Sequence, residues 1–317
     1  MSGTKNAACA RFPAPLITSG MRGDAPQATL APADNVSMSV VSISQDDILQ
    51  IANSFPATQQ ILAQLGLLLR DPGVELEDVT VLLKRDVALA ARLIRIANSA
   101  AMAQNGEVAS VEDAVSIIGF QEVYRLVGFA VLAQVSDGGL PSYDIPGKRF
   151  HGNALFTALL MEELARGASE DPRYCYTVGL LRSIGKVALD RLAREAAPGE
   201  FLKLAEGERL GEWERSVFGM TNPEASSIIL KSWKFPHEIV SAIEGHYTPE
   251  GRHMPLTHLL NLAAGMADVL GHGLEGETSY WLDTEEVFRK AGLEPKSANR
   301  IIDKALDSFD RLMRTAY

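Results

Sequence analysis

Three sets of residues in this 317-residue chain have types that suggest chemistry. The first is Gly179-Leu-Leu-Arg-Ser-Ile-Gly-Lys186. Its glycines and lysine invite comparison with the phosphate-binding loop G-x-x-x-x-G-K, whose backbone N–H groups and lysine cradle phosphate. That loop then needs Ser or Thr for Mg²⁺, and Val187 stands there. It also follows a buried strand. Here Tyr174 to Leu192 reads as one continuous helix, with Val178, Leu181, Ile184, Ala188 and Leu192 three or four residues apart. A nucleotide-phosphate loop is not expected.

The second set is His237, His246, His253, His258 and His272. Imidazole and carboxylate groups hold divalent ions, and the ions make hydroxide from water near neutral pH. His237-Glu238 begins an H-E-x-x-H string, but Ser241 stands where the second His belongs. The five read as helix-end and loop histidines, with Asp268 or Glu224 as carboxylates that would have to complete a site. The third is Ser183, which has no nucleophile-elbow sequence around it. Cys9 and Cys175 have neither zinc nor disulfide-framework spacing, which suits a reducing cytoplasm.

The elements that must position these residues read as helices. Residues 1–43 are rich in Ala, Pro, Ser, Gly and Thr and are expected to form a disordered tail. Short helices are expected over 45–53, 57–69 and 76–84. Asp86 can cap the next helix, with Leu89, Leu93, Ile96 and Ala97 inward. Ser110-Val-Glu-Asp113 resembles a capping box, and Gly119 suits a left-handed helix end. Residues 121–135 form a long apolar helix. Asp137 to Gly147 is a breaker-rich loop that divides the helical region into two halves. The second half predicts helices near 148–167, 172–192, 208–217, 223–234, 236–246 and 256–271, then a pair near 284–291 and 295–314. No alternating run justifies a sheet, so the class is all-α, a multi-helix bundle.

Composition bounds the rest. With 46% hydrophobic and 22% charged residues, the chain can bury a sizeable core. Its net charge of −10 argues against nucleic-acid binding, which rests on cationic neutralisation of phosphate. Lys84, Arg85, Arg92 and Arg95 read as a solvated helix face. No signal peptide is expected, and the longest apolar stretches fall short of the roughly 20 residues that span a bilayer.

Two long blocks carry a resemblance. The first runs from Leu82 through Asp86, an Ala-Asn-Ser ending at Asn98 and Ser99, and on through Ser110 to Ile118-Gly119. The second begins at Arg149-Phe-His-Gly152 and includes Val178 to Lys186, with its Gly185. It continues through Val217 to Glu224 and Trp233 to Tyr247. Together they resemble the HDOD family, bacterial relatives of the HD-type phosphohydrolases, over roughly residues 45–271. Val87 departs from the proline usual after the Asp. The resemblance implies an HD-like helical core in residues 148–275, within a domain over 44–275 and before a helical extension over 276–317.

HD enzymes hold metal with a first His, a His-Asp pair, further His residues and a late Asp. On this chain the first His matches His151, and the pair falls on Arg182-Ser183. The next His falls on Asn222, a later one on His246, followed by Tyr247, and the late Asp near Ala264. Arg182 has no lone pair for a metal. Asn222 with Pro223 reads as a helix cap with proline in the first helical position. The expectation is therefore no catalytic residue, no metal and no cofactor. The resemblance implies a non-enzymatic signalling module that binds protein partners or a small anionic ligand, with homo-oligomers allowed. A metal-dependent phosphohydrolase acting on a nucleotide or cyclic dinucleotide is one alternative. An anion sensor using the cleft around Arg182, His151 and His246 is the other.

Overall fold

The computed structural model describes residues 42–55, 58–98, 108–136, 138–196, 202, 204–205, 207–250, 254–282, 287–289 and 293–316. Contacts divide the chain into Met1–Met38, outside those residues, and Ser39–Tyr317, to which everything below refers. The expected tail lies outside the described residues up to position 41. Ile43 is buried, and its N–H donates to the Phe218 carbonyl at 3.0 Å.

The described residues form α-helices and no strand, as the all-α reading requires. The first half holds α1 (Gln45–Ser54), α2 (Thr58–Leu68), α3 (Leu76–Leu83), α4 (Val87–Ala97), α5 (Val111–Ile118) and α6 (Phe120–Val135). Their starts follow from local chemistry. Asp86 accepts the Leu89 N–H at 3.0 Å, and Ser110 accepts that of Asp113 at 3.0 Å, each satisfying a donor that the first helical turn cannot. The inward face of α4 is Leu89, Leu93, Ile96 and Ala97. Lys84 pairs with Glu112 on the exposed side. Gly119 joins α5 to α6 at φ 81, ψ 150. The φ is positive, but the extended ψ is not the left-handed helical turn expected, and the two helices meet at 110°.

Asn98 closes α4. Its side-chain amide donates to the carbonyls of Ile94 at 3.1 Å and Val108 at 2.7 Å, and its carbonyl accepts the Val108 N–H at 2.8 Å. It fastens the helix end to backbone ten residues later, so it acts as a helix stop. Asn98→Ala strands the Val108 groups and is expected to cost about 2 kcal/mol in urea unfolding. Ser99 lies outside the described residues.

The second half holds α7 (Gly147–Ala168), α8 (Pro172–Leu181), α9 (Ile184–Ala196), α10 (Leu210–Phe218), α11 (Asn222–Ser232), α12 (His237–Gly245), α13 (Pro255–Ala267) and α14 (Ala298–Ala316). Three expectations need correction. Residues 172–192 are two helices, broken at Arg182-Ser183, so Ser183 is not mid-helix. The helix expected to 271 ends at Ala267 and passes into a π turn, Asp268–His272, with Gly271 at φ 83. The cap of α11 is Thr221, not Asn222. Thr221 and Glu224 form a capping box, and Pro223 sits one position inside the first turn. Most of the helix expected over 284–291 lies outside the described residues.

The α8–α9 pair forms the centre. Every residue from 175 to 190 is buried. Helix α7 lies along α8, α13 and α14, while α9 packs on α11, which also meets α12 and α1. Two glycines set the closest approaches. A Cβ on Gly179 would lie 2.6 Å from Ala158 Cα of α7, and one on Gly185 would lie 2.0 Å from the Asn222 carbonyl oxygen of α11. No single helix among the described residues is long and apolar enough to cross a membrane.

Candidate functional site

The break between α8 and α9 has a tertiary cause. The Ser226 hydroxyl of α11 accepts the Gly185 N–H at 2.9 Å and donates to the Arg182 carbonyl at 3.4 Å. These bonds replace those a continuous helix would make internally. The side chain of Arg182 is left 1% exposed, inside the protein.

A buried ion cluster forms around it. Glu277 reaches in from the segment between the π turn and a 3-10 turn, Thr278–Tyr280. Its Oε2 accepts from Arg182 Nη2 at 2.8 Å. Its Oε1 accepts from Lys186 Nζ, and from the Tyr247 hydroxyl at 2.8 Å. Arg182 Nη2 also donates to Asn153 Oδ1 of α7 at 2.8 Å. The guanidinium lies 5.6 Å from the Trp281 ring centre, and Lys186 Nζ lies 5.6 Å from that of Tyr143. Burial alone would raise the pKa of Glu277, but Arg182 and Lys186 outweigh it and hold the carboxyl well below the usual range.

A second carboxylate lies alongside. Glu214 of α10 accepts the Asn222 backbone N–H at 2.8 Å, the Asn222 amide at 2.9 and 3.0 Å, and the Tyr143 hydroxyl at 2.8 Å. The Asn222 amide also donates to the Tyr247 oxygen at 3.1 Å, which links the two carboxylates. Burial pushes the Glu214 pKa up to about 7, against the lowering pull of Lys186 and of the Asn222 N–H.

His246 ends α12, fully buried against Tyr247 and Trp281. Its Nδ1 lies 2.6 Å from the Ile243 carbonyl, which only accepts, so Nδ1 carries the proton. Burial, aided by the charge on Arg182, lowers its pKa to about 3. Asn261 fills the region where a late Asp was sought. It donates to the carbonyls of His246 at 2.9 Å and Tyr280 at 2.8 Å and accepts the Leu282 N–H at 3.1 Å.

His246 and Glu214 make opposite contributions to stability. Unfolded, Glu214 ionises near 4.5; folded, near 7. Its stabilising contribution is lost as pH rises through that window. Unfolded, His246 gains its proton near 6.5; folded, only near 3. Its contribution is lost as pH falls through that window. Between pH 4.5 and 6.5 the two cancel. Glu214→Gln removes one side, so the variant should gain about 2–3 kcal/mol relative to wild type across that interval. Urea unfolding at both pH values checks this, and a constant difference between the proteins would refute it.

Of the expected site residues, the structure brings together Arg182, Asn222 and His246, with Ser183 buried at the break. His151 faces elsewhere. Its Nε2 lies 2.9 Å from the Ser136 hydroxyl and its ring is edge-on to Phe129. Asn153, two residues and so about 200° further round α7, is the residue that meets Arg182. The other histidines are dispersed. His237 approaches Ser241, His258 approaches the Met254 carbonyl, and His272 packs on Phe156 and Phe309. His253 lies outside the described residues. Glu224 is taken up by the Thr221 cap and an ion pair with Arg215. No three His, Cys, Asp or Glu side chains among the described residues are grouped to hold a metal ion. The phosphate-loop comparison also misses on spacing, because five residues separate Gly179 from Gly185.

Sequence reasoning missed Glu277, Glu214, Tyr143 and Asn153, and weighed Lys186 only as a phosphate-loop lysine. Lys186 and Asp190 carried the one available signal, since charges inside an otherwise buried helix require partners.

The fold has solved relatives. A candidate signal-transduction protein of Marinobacter aquaeolei VT8 matches with a TM-score of 0.61 at 22% identity, over 89% of this chain and 68% of that one. A candidate phosphohydrolase of Shewanella amazonensis SB2B matches at 0.56 and 24%, over 82% and 93%. At these identities the likeness is one of fold. An uncharacterized protein of Treponema pallidum (strain Nichols) is 24% identical over 239 residues, 72% of this chain, which spans 44% of that relative's length. The HDOD domain model matches residues 55–249, more than half of the sequence, and the chain belongs to the HDOD domain family.

Proposed function

We propose that this protein is a non-enzymatic regulatory module of bacterial signal transduction, working in the cytoplasm by binding a signalling protein or a small ligand. The observation that carries the reading is the Arg182–Glu277–Lys186 cluster. Where the family resemblance places a metal-binding His-Asp pair, this chain has a guanidinium with no lone pair to offer. Its own carboxylate, Glu277, pairs with both cations there and leaves the cluster with a net positive charge. A divalent ion would meet two positive charges and would compete for a carboxylate already bound three times over. Solved relatives of this fold are described as a candidate signal-transduction protein and as a candidate phosphohydrolase, so the enzyme is the reading to test against.

Metal analysis of the purified protein, with phosphatase assays in Mn²⁺ and in Mg²⁺, tests the proposal. The expected result is no stoichiometric metal and no turnover above buffer. Stoichiometric metal, with turnover that disappears in His151→Ala or His246→Ala, would overturn it.

A further inference from the structure

The cations at the α8–α9 break are better equipped than their partner requires. A guanidinium facing a carboxylate commonly makes two parallel N–H bonds. Arg182 makes its bond to Glu277 through Nη2 alone. Its Nε and Nη1 are buried and have no hydrogen-bond partner among the described residues. The Nε2 of His246 and Oδ1 of Asn222, both fully buried, are also without one. A buried donor without an acceptor costs free energy, so two on one side chain call for explanation. Lys186, Tyr247 and Arg182 converge on one small volume with more N–H and O–H groups than the two carboxylate oxygens take up.

The carboxylate itself arrives on a short non-helical segment from 95 and 91 positions along the chain. Gly276 precedes Glu277 at φ 77, and the Glu277 N–H reaches the Leu274 carbonyl only at 3.4 Å. Glu277 is thus an anion brought to a cationic site by a turn, not by the helices that build the site.

We propose that Arg182, Lys186 and Tyr247 form a binding site for a tetrahedral oxyanion of the phosphate class, and that Glu277 occupies it as a resident anion which such a ligand displaces. A tetrahedral ion presents oxygens in enough directions to take the free Arg182 donors as well as those Glu277 now uses. This assigns a ligand class to the binding-module reading and rests on it. The test reads binding and not turnover, so the failure of one is distinct from failure of the other.

Thermal unfolding of the full chain is followed in rising inorganic phosphate, against chloride at matched ionic strength. The proteins are wild type, Glu277→Gln, Glu277→Ala and the double variant Glu277→Gln with Arg182→Met. Phenyl phosphate in place of phosphate tells a phosphomonoester from the bare ion. Glu277→Gln keeps the side-chain volume, so it retains the fold most readily. Both single variants are expected to show a saturable rise of about 5 °C at a hundredfold excess over Kd. The wild type should respond only at phosphate concentrations at least about tenfold higher, because its site is competent only when Glu277 has moved out. The double variant should lose the response. The proposal is overturned if neither single variant gains beyond the chloride control, if the gain survives Arg182→Met, or if neither folds even in phosphate.

Discussion

Alanine at position 185 should lower the free energy of unfolding by about 3 kcal/mol or more and send much of the protein into the insoluble fraction. The added methyl would sit 2.0 Å from the Asn222 carbonyl oxygen and 2.7 Å from the Ser226 backbone nitrogen. Both are main-chain atoms of α11, so no rotamer change relieves the clash. Relief requires α9 and α11 to separate. That would break the Gly185 N–H bond to Ser226 and the Ser226 bond to the Arg182 carbonyl together. Gly152 supplies the control. It is also helical and buried, but its added carbon would meet only Phe309 at 3.9 Å. Gly152→Ala should be neutral or stabilising by up to about 1 kcal/mol, as alanine is in helices. Chemical unfolding of the pair separates a packing effect from a general intolerance of substitution. Gly185→Ala within 1 kcal/mol of wild type would refute the close-approach argument.

The second large effect concerns Glu277. Glu277→Leu keeps the volume and leaves Arg182 and Lys186 buried without their carboxylate, which should cost about 3–5 kcal/mol. The triple replacement Arg182→Met, Lys186→Met, Glu277→Leu removes all three charges. It should recover most of that loss and come within about 1–2 kcal/mol of wild type. Desolvation sets this asymmetry. Breaking a buried cluster leaves uncompensated charge, whereas deleting it leaves an apolar core. A triple variant as unstable as Glu277→Leu would mean that shape, not charge, holds the segment in place.

These effects mark where local sequence patterns stop being informative. The helix starts at Asp86 and Ser110 and the inward face of α4 were legible, because a capping side chain and a 3.6-residue period act within one or two turns. The class followed from the same signals. The break at Arg182-Ser183 was not legible, because Ser226, 41 positions from Gly185, imposes it. The apolar period runs across the break undisturbed. Family matching led to Arg182, Asn222 and His246 but also to His151, whose helix phase turns it toward Ser136. Glu277 was invisible for a related reason. Nothing about a Glu between Gly276 and Thr278 indicates that it meets Lys186, since ion pairing across 91 positions leaves no periodic trace.

The same separation orders events in time. A ribosome delivers Arg182 and Lys186 well before it delivers Glu277, roughly 5–20 s earlier at common rates of synthesis. During that interval Arg182 and Lys186 lack the carboxylate that bonds them both in the finished fold. Residue 249, where the HDOD domain model stops matching, therefore falls short of the last charge that the buried cluster uses. That carboxylate lies outside the matched stretch, so a chain ended at residue 249 is expected to be cut by proteases at the α8–α9 break, which the full chain buries.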